Sequence, residues 1–353
     1  MKMTFQKLVI GASMAIGVSA LASAPAHATS FSFNNANEIK TYTGGSNGSF
    51  IANNTVAASQ ALSDGNASSN VELWYSTENP TSNVGFTATQ GNYSATVSSV
   101  TASDWNSFGS QWLGDLLSTY TPFQSVWNGF STNTKSIITS SFSLLGMGDP
   151  NVGSFQFGQN GGVGLTLVGH LDVKTKLLAT VSDKLNAAYT TPVSSTSTIT
   201  LKSLLGNKDI TLVNVSDVDA KLLTLKAALN SSLTPAATKV MLQAQITQLT
   251  SFKEVLSLQA TLTTYQGEIG ASEIAKVVTG GQTYYAYSFN PTASGITASD
   301  DGVSYSAYYT WNTPGYIAPP PPSSSVPEPS VILGLLGVAG VFTTRRQVKK
   351  ASI

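Results

Sequence analysis

Near the C-terminal end of the chain, Val303, Tyr305, Ala307, Tyr309 and Trp311 alternate strictly with Ser304, Ser306, Tyr308 and Thr310. No other feature limits the fold as tightly. Successive strand side chains point to opposite faces, so the run predicts a strand with one buried and one polar face. The same period recurs in the first half. Phe31 and Phe33 alternate with serines, and Val71, Leu73 and Tyr75 alternate with Glu72, Trp74 and Ser76. Residues 84–88 and 93–97 flank Gln90-Gly91-Asn92, and 155–157 and 165–167 flank a glycine-rich turn at 158–162; both read as hairpins. Gly280-Gly281 is a two-residue turn between 274–279 and 282–289.

Between these β segments the period changes. Ser103 can cap a helix striped with Trp105, Phe108, Trp112, Leu113, Leu116 and Leu117, and Pro122 can open a second, through Val126 and Phe130. Further on, Leu177, Leu178, Val181 and Leu185 share one face, and Leu222, Leu225 and Leu229 another. Thr234-Pro235 reads as an N-cap and first helical residue before Leu242, Ile246, Leu249, Phe252, Leu256 and Leu262. That helix either runs to Tyr265 or breaks near Ser251. A Ser/Thr-rich excursion at 193–215 suits two short strands. The expected fold class is α+β: 29–171 mainly β with a short helical insertion, 172–272 helical, and 273–313 β again. The first and third regions would form a sandwich-like antiparallel body with the helices inserted or packed on one side.

The ends do not belong to that body. Residues 1–28 read as a secretory signal peptide: Lys2 and Lys7, an apolar stretch at 8–22, then Ala26-His27-Ala28 as an A-x-A site, so the mature chain begins near Thr29. An N-terminal anchor is the alternative, but a span needs about 20 apolar residues. Seven of the 14 prolines fall within 314–329, making 314–325 a Pro-rich linker. Pro327-Glu328-Pro329 follows, then an uncharged apolar run at 330–344, then Arg345, Arg346, Lys349 and Lys350. As a helix that run spans about 22 Å, short of a roughly 30 Å hydrocarbon core unless snorkelling basic side chains extend it. The basic cluster should stay cytoplasmic, which puts the body outside the inner membrane.

Pro-Glu-Pro, a short apolar span and an arginine-rich end, in that order over 326–350, resemble the PEP-CTERM sorting signal of exopolysaccharide-producing Gram-negative bacteria, cyanobacteria among them. The resemblance implies recognition by the membrane protease-transpeptidase exosortase at Pro327, Glu328 and Pro329, removal of the tail, and delivery to the surface or extracellular matrix. A plain tail anchor after a stalk is the alternative. More faintly, Asp149-Pro150-Asn151-Val152 with Gly169-His170, and Ser272-Glu273-Ile274 with Tyr287-Ser288-Phe289, resemble body segments of other cyanobacterial PEP-CTERM proteins. They imply no activity.

Composition narrows the chemistry. The body at 29–327 holds 12 lysines, 17 acidic residues and no arginine, a net charge of −5, and the chain has no cysteine. Without arginine it lacks the usual bidentate clamp for phosphate, and without a basic excess it does not suit nucleic acid. Past Thr29, His170 is the only histidine, so a histidine–cysteine zinc site cannot be assembled, and a Ser-His-Asp triad would have to use His170. His170 reads instead as closing a strand at a hydrogen-bonded corner. A pair drawn from Asp104, Asp115, Asp149, Glu268 and Glu273 would suffice for glycoside cleavage if two met across a cleft. Asp217-Val218-Asp219 and Asp300-Asp301-Gly302 suit calcium, a helix start or a turn. No enzyme activity, cofactor or metal is expected. The aromatics of the last β region can stack on sugars, with Tyr284 and Tyr308 the outward candidates. Signal peptidase and exosortase are the expected processing partners, the membrane before cleavage and extracellular polysaccharide after it.

Overall fold

The computed structural model describes residues 29–319 except 67, 141, 143, 189–198, 202–209 and 213–217. The expected signal peptide at 1–28 and the sorting signal at 326–350 lie outside the described residues. The chain begins with β1 (Ser30–Phe33), β2 (Ile39–Thr43), β3 (Ser49–Ala52), α1 (Thr55–Ser63), β4 (Asn70–Leu73), β5 (Gly85–Gln90) and β6 (Tyr93–Ser98). Three helices follow, α2 (Ala102–Thr119), α3 (Thr121–Gly129) and α4 (Thr132–Thr139), and then the β7 (Asn151–Phe157) and β8 (Val163–Asp172) hairpin. The second helical stretch has α5 (Lys174–Ala188), β9 (Ile199–Leu201), β10 (Ile210–Leu212), α6 (Val218–Asn230) and α7 (Ala236–Thr264). It ends in β11 (Gly270–Ala271), β12 (Ala275–Thr279), β13 (Gln282–Ala286), β14 (Thr292–Ala293), β15 (Ser299–Asp300) and β16 (Val303–Asn312).

The fold is α+β, as the residue periods imply. β12 leaves the helical region to pair with β6, so the five-stranded sheet runs β1-β5-β6-β12-β13. β16 likewise returns to β8 in a nine-stranded sheet ordered β14-β16-β8-β7-β4-β2-β3, with β11 on β8 and β15 on β16. Between the sheets lies an apolar core of Val71, Leu73, Phe86, Val97, Phe155, Leu165 and Val277, joined by Leu62 of α1. The rings of Phe31, Phe86 and Phe155 meet edge to face there. The outer face of the larger sheet supports a second core in which Tyr42, Val168 and Tyr305 join Trp112, Leu116, Phe123, Leu249 and Phe252 of the helices.

A sheet buried on both faces changes the reading of the alternation. Val303 and Tyr305 belong to the outer core, Ala307 and Tyr309 to the inner one. A register shift between Ser304 and Tyr308 turns the strand over. It sits opposite Gly169, which adopts φ +120 and whose Cβ would lie 2.4 Å from Val303 Cγ1. On β4 all four residues are buried, Glu72 included, so that alternation does not separate core from solvent either.

The helices keep their stripes, with shifts at their ends. Thr101, not Ser103, caps α2: its hydroxyl accepts from the Asp104 N–H while the Asp104 carboxylate accepts from the Thr101 N–H. Pro235 is the cap of α7 rather than its first residue. α7 then runs 29 residues without a break, about 44 Å. Ser251 does not interrupt it, because its buried hydroxyl accepts from Thr134 and Asn133. The two short strands expected in the Ser/Thr-rich excursion pair as β9 and β10. α1 and α4 carry no long apolar stripe; α1 buries alanines, Ala58 and Ala61, beside Leu62.

After β16 the chain is strapped across the β7–β8 turn. Gln159 N–H donates to Ile317 O at 2.9 Å, and the Asn160 amide to Gly315 O at 2.7 Å. The turn is glycine-rich because rings lie on it: a Cβ on Gly161 would meet Tyr93 at 2.5 Å, and one on Gly158 would meet Tyr316 at 2.9 Å. Among the described residues no helix is long and apolar enough to cross a membrane.

Candidate functional site

The region-three aromatics divide between core and surface. Tyr305 and Tyr309 are fully buried. Tyr284 and Trp311 stay half-buried at the rim of the sandwich, where β13 is an edge strand and β16 ends. Their rings lie 6.3 Å apart, inclined at 58°. Opposite them, α2 presents Phe108, Gln111 and Asp115, one face of a helix at i, i+3 and i+7. Together these elements enclose a groove of about 380 Å³. Its wall is braced: Tyr285 stacks on Phe108 at 3.8 Å and 15°, and the Tyr287 hydroxyl donates to Asp115 Oδ2 at 2.8 Å. Burial, then the Asp115 carboxylate, pushes the Tyr287 hydroxyl above the ordinary phenol range, so it stays a donor. Thr283 and Asn312 complete the polar lining, and Asp115 is its one ionisable carboxylate.

Tyr308 lies elsewhere. It pairs with Thr292 and Val168 across the larger sheet and packs, half-buried, on the outer core. The two sequence candidates for glycan contact therefore belong to different surfaces. The sequence marks Asp115 only as a carboxylate and Trp311 only as a strand aromatic, and it does not mark Gln111. The polar i, i+4 pair beside the apolar stripe of α2 was the available signal.

Of the candidate carboxylates, Asp149 and Glu273 come together, and both are buried, at 4% and 2% exposed. Glu273 Oε2 accepts from the Asn151 N–H at 2.9 Å and its amide at 3.1 Å, so the two faintly recognised segments pack together here. Burial pushes both carboxyls up; the nearby Glu78 carboxylate raises Asp149 further, and Asp149 raises Glu273 further. Asp104 is structural: burial would raise it, but hydrogen bonds from Lys276, Asn83 and Thr101 outweigh that and hold it at about 2. Asp115 belongs to the groove, and exposed Glu268 sits 3.5 Å from His170 Nε2. His170 Nδ1 hydrogen-bonds the Tyr309 hydroxyl at 2.7 Å on β8, fixing a strand.

Asp300 and Asp301 come close to Glu72, their carboxylates within 4.8 Å of one another. Lys40 Nζ stands among them, at 3.0 Å from Glu72, 2.5 Å from Asp300 and 3.8 Å from Asp301. Its ammonium takes the place a divalent cation would occupy. Burial pulls the Lys40 pKa down, but these acids outweigh it and raise it. Burial carries Glu72 up to about 7 despite the lysine. The two shifts differ in sign of benefit because Glu72 is the more deeply buried partner. Asp219 pairs with Lys253 at 2.6 Å on the surface, and Asp217 lies outside the described residues. No family model, no curated protein and no solved structure matches the chain.

Proposed function

We propose that this chain is an exported, non-enzymatic surface or extracellular-matrix protein, sorted and processed by exosortase at Pro327-Glu328-Pro329. The observation that carries the reading is the order of elements after the body: Pro-rich linker, Pro-Glu-Pro, apolar run, Arg345-Arg346. Two structural facts support it. β1 begins at Ser30, one residue past the cut expected between Ala28 and Thr29. At the other end the strap across the β7–β8 turn closes with Gln159 on Ala318 O, upstream of Pro327. Both cuts would fall outside β1 and outside the strap across the β7–β8 turn. The body would then act outside the inner membrane, next to extracellular polysaccharide.

The test is C-terminal peptide mass spectrometry on the protein from its native host, beside an exosortase deletion strain. A mature chain ending near Pro327-Glu328-Pro329, with the full tail kept in the membrane fraction of the deletion strain, is expected. An intact 330–350 tail in both strains would mean an anchor and end the sorting reading.

A further inference from the structure

We infer that the groove between α2, β13 and the end of β16 binds a neutral sugar segment of a polysaccharide. The inference deepens the proposed function, resting on it for where the glycan is met, while the site itself stands on its geometry. A pyranose offers an apolar C–H face and a rim of hydroxyls. Tyr284 and Trp311 line the groove with two inclined, partly buried rings 6.3 Å apart, whose accessible parts suit contact with a C–H face. Gln111, Thr283 and Asn312 stand exposed around them, and their amides and hydroxyl both donate and accept. Asp115 adds an acceptor for sugar hydroxyls. Tyr287 holds its Oδ2, while Oδ1 has no protein partner among the described residues.

Charge selects among sugars. Among the described residues no lysine lines the groove, and the body has no arginine. A uronate or sulfated sugar would bring its anion to Asp115 with no cation to receive it. Size selects too: about 380 Å³ lies at the small end of ligand pockets, roughly 300–1,000 Å³. That suits a short stretch of chain. In the braced part of the wall, Tyr285, Tyr287 and Asp115 are already held by stacking and a hydrogen bond, so these side chains lose little freedom on binding.

The experiment is isothermal titration of the protein as recovered from its native host, using cellotetraose, laminaritetraose and mannotetraose, with tetragalacturonate as the anionic comparison. Saturable binding of at least one neutral tetrasaccharide is expected, weakened about tenfold or more by Trp311→Ala and by Tyr284→Ala. Gln111→Ala, on the exposed side of α2, should weaken binding severalfold with an unchanged Tm, which separates the site from folding. Absence of neutral binding, stronger binding of tetragalacturonate, or unchanged affinity in Gln111→Ala and Tyr284→Ala would each overturn the inference. The C-terminal mass of the same sample tells the two readings apart. A processed tail without sugar binding removes the groove alone; sugar binding with an intact tail removes the sorting alone.

Discussion

The central strands of the nine-stranded sheet are buried on both faces, yet the faces are made of different chemistry. On β4, Val71 and Leu73 enter the apolar core between the sheets, while Asn70 and Glu72 enter the opposite side. That outer side also holds Lys40, Tyr42, Asn151 and Tyr305, with Glu273 and Asp149 beside it. The inner face gains stability from area removed from water, which needs no partner. The outer face takes carboxylates and amides out of water and must return hydrogen bonds or charges to them. It does so incompletely: among the described residues, Asp149 Oδ1 and both amide atoms of Asn70 have no hydrogen-bond partner. The same strands therefore carry a forgiving face and a demanding one.

Truncation of the inner face should cost most. Phe86, 1% exposed and in edge-to-face contact with Phe31 and Phe155, loses its core contacts in Phe86→Ala. The expected loss is about 3–5 kcal/mol, read as a shift of the urea midpoint at constant slope. A loss below about 1 kcal/mol would mean that the inter-sheet core is not what holds the body together. On the outer face, Lys40→Met keeps the aliphatic stem but leaves Glu72 and Asp300 facing one another. Breaking a buried pair costs about 3–5 kcal/mol; partial exposure puts this one near the low end at pH 8. At pH 5, where Glu72 is protonated, much of the loss should vanish. An equal loss at both pH values would show that packing, not charge, is what Lys40 supplies.

The inner face was legible in the sequence and the outer face was not, for one reason. Alternation reports polarity, and a buried polar residue looks the same as a solvated one. Glu72 between Val71 and Leu73 reads as the solvent side of a strand, and only the segments packed over it make it a core residue. All three glycine-centred hairpins and the helical stripes follow from period and turn chemistry, and the return of the last strands to the first sheets from the layer arrangement these imply. The turn-over of β16 does not, because it depends on Val303 meeting a glycine more than a hundred residues earlier in the chain. In the groove, Tyr284 could be picked out as an outward aromatic of the last β region. Its partners Gln111 and Asp115 come from a helix on the other side of the chain, and nothing local links them.

A pH titration sharpens the contrast further. The carboxyls of Asp149, Glu273 and Glu72 are raised in the folded state, chiefly by burial. A raised acid binds its proton more tightly folded than unfolded, so stability is greatest while it is protonated and falls as pH climbs from the unfolded value, about 4, through the folded one. Tm should therefore drop between about pH 5 and pH 8. Asp149→Asn should flatten that slope and gain stability at pH 8. Asp104 works the other way: held at about 2, it contributes above its unfolded value and is lost as pH falls through the folded one. Stability should peak in the mildly acidic range. A Tm that rises steadily from pH 5 to pH 8 would place these carboxylates in water rather than under the helices.

The smallest effect lies at the edge of both faces, where α2 starts. Thr101→Ala removes the hydroxyl that accepts the Asp104 N–H and one of the donors that hold the Asp104 carboxylate. Lys276 and Asn83 still hold that carboxylate, at 2.7 Å each, so the loss should stay near 1 kcal/mol. Ser103, inside the first turn of α2, makes no cap, and Ser103→Ala should change stability by only a few tenths of a kcal/mol. Thermal melts of the two variants at pH 7 measure the difference directly. A larger loss for Ser103→Ala would return the start of α2 to the position the apolar stripe alone suggests. The expected order instead places the cap where a carboxylate, a lysine on β12 and the loop before β5 converge, so that the helix bearing one wall of the groove is tied to the sheet bearing the other.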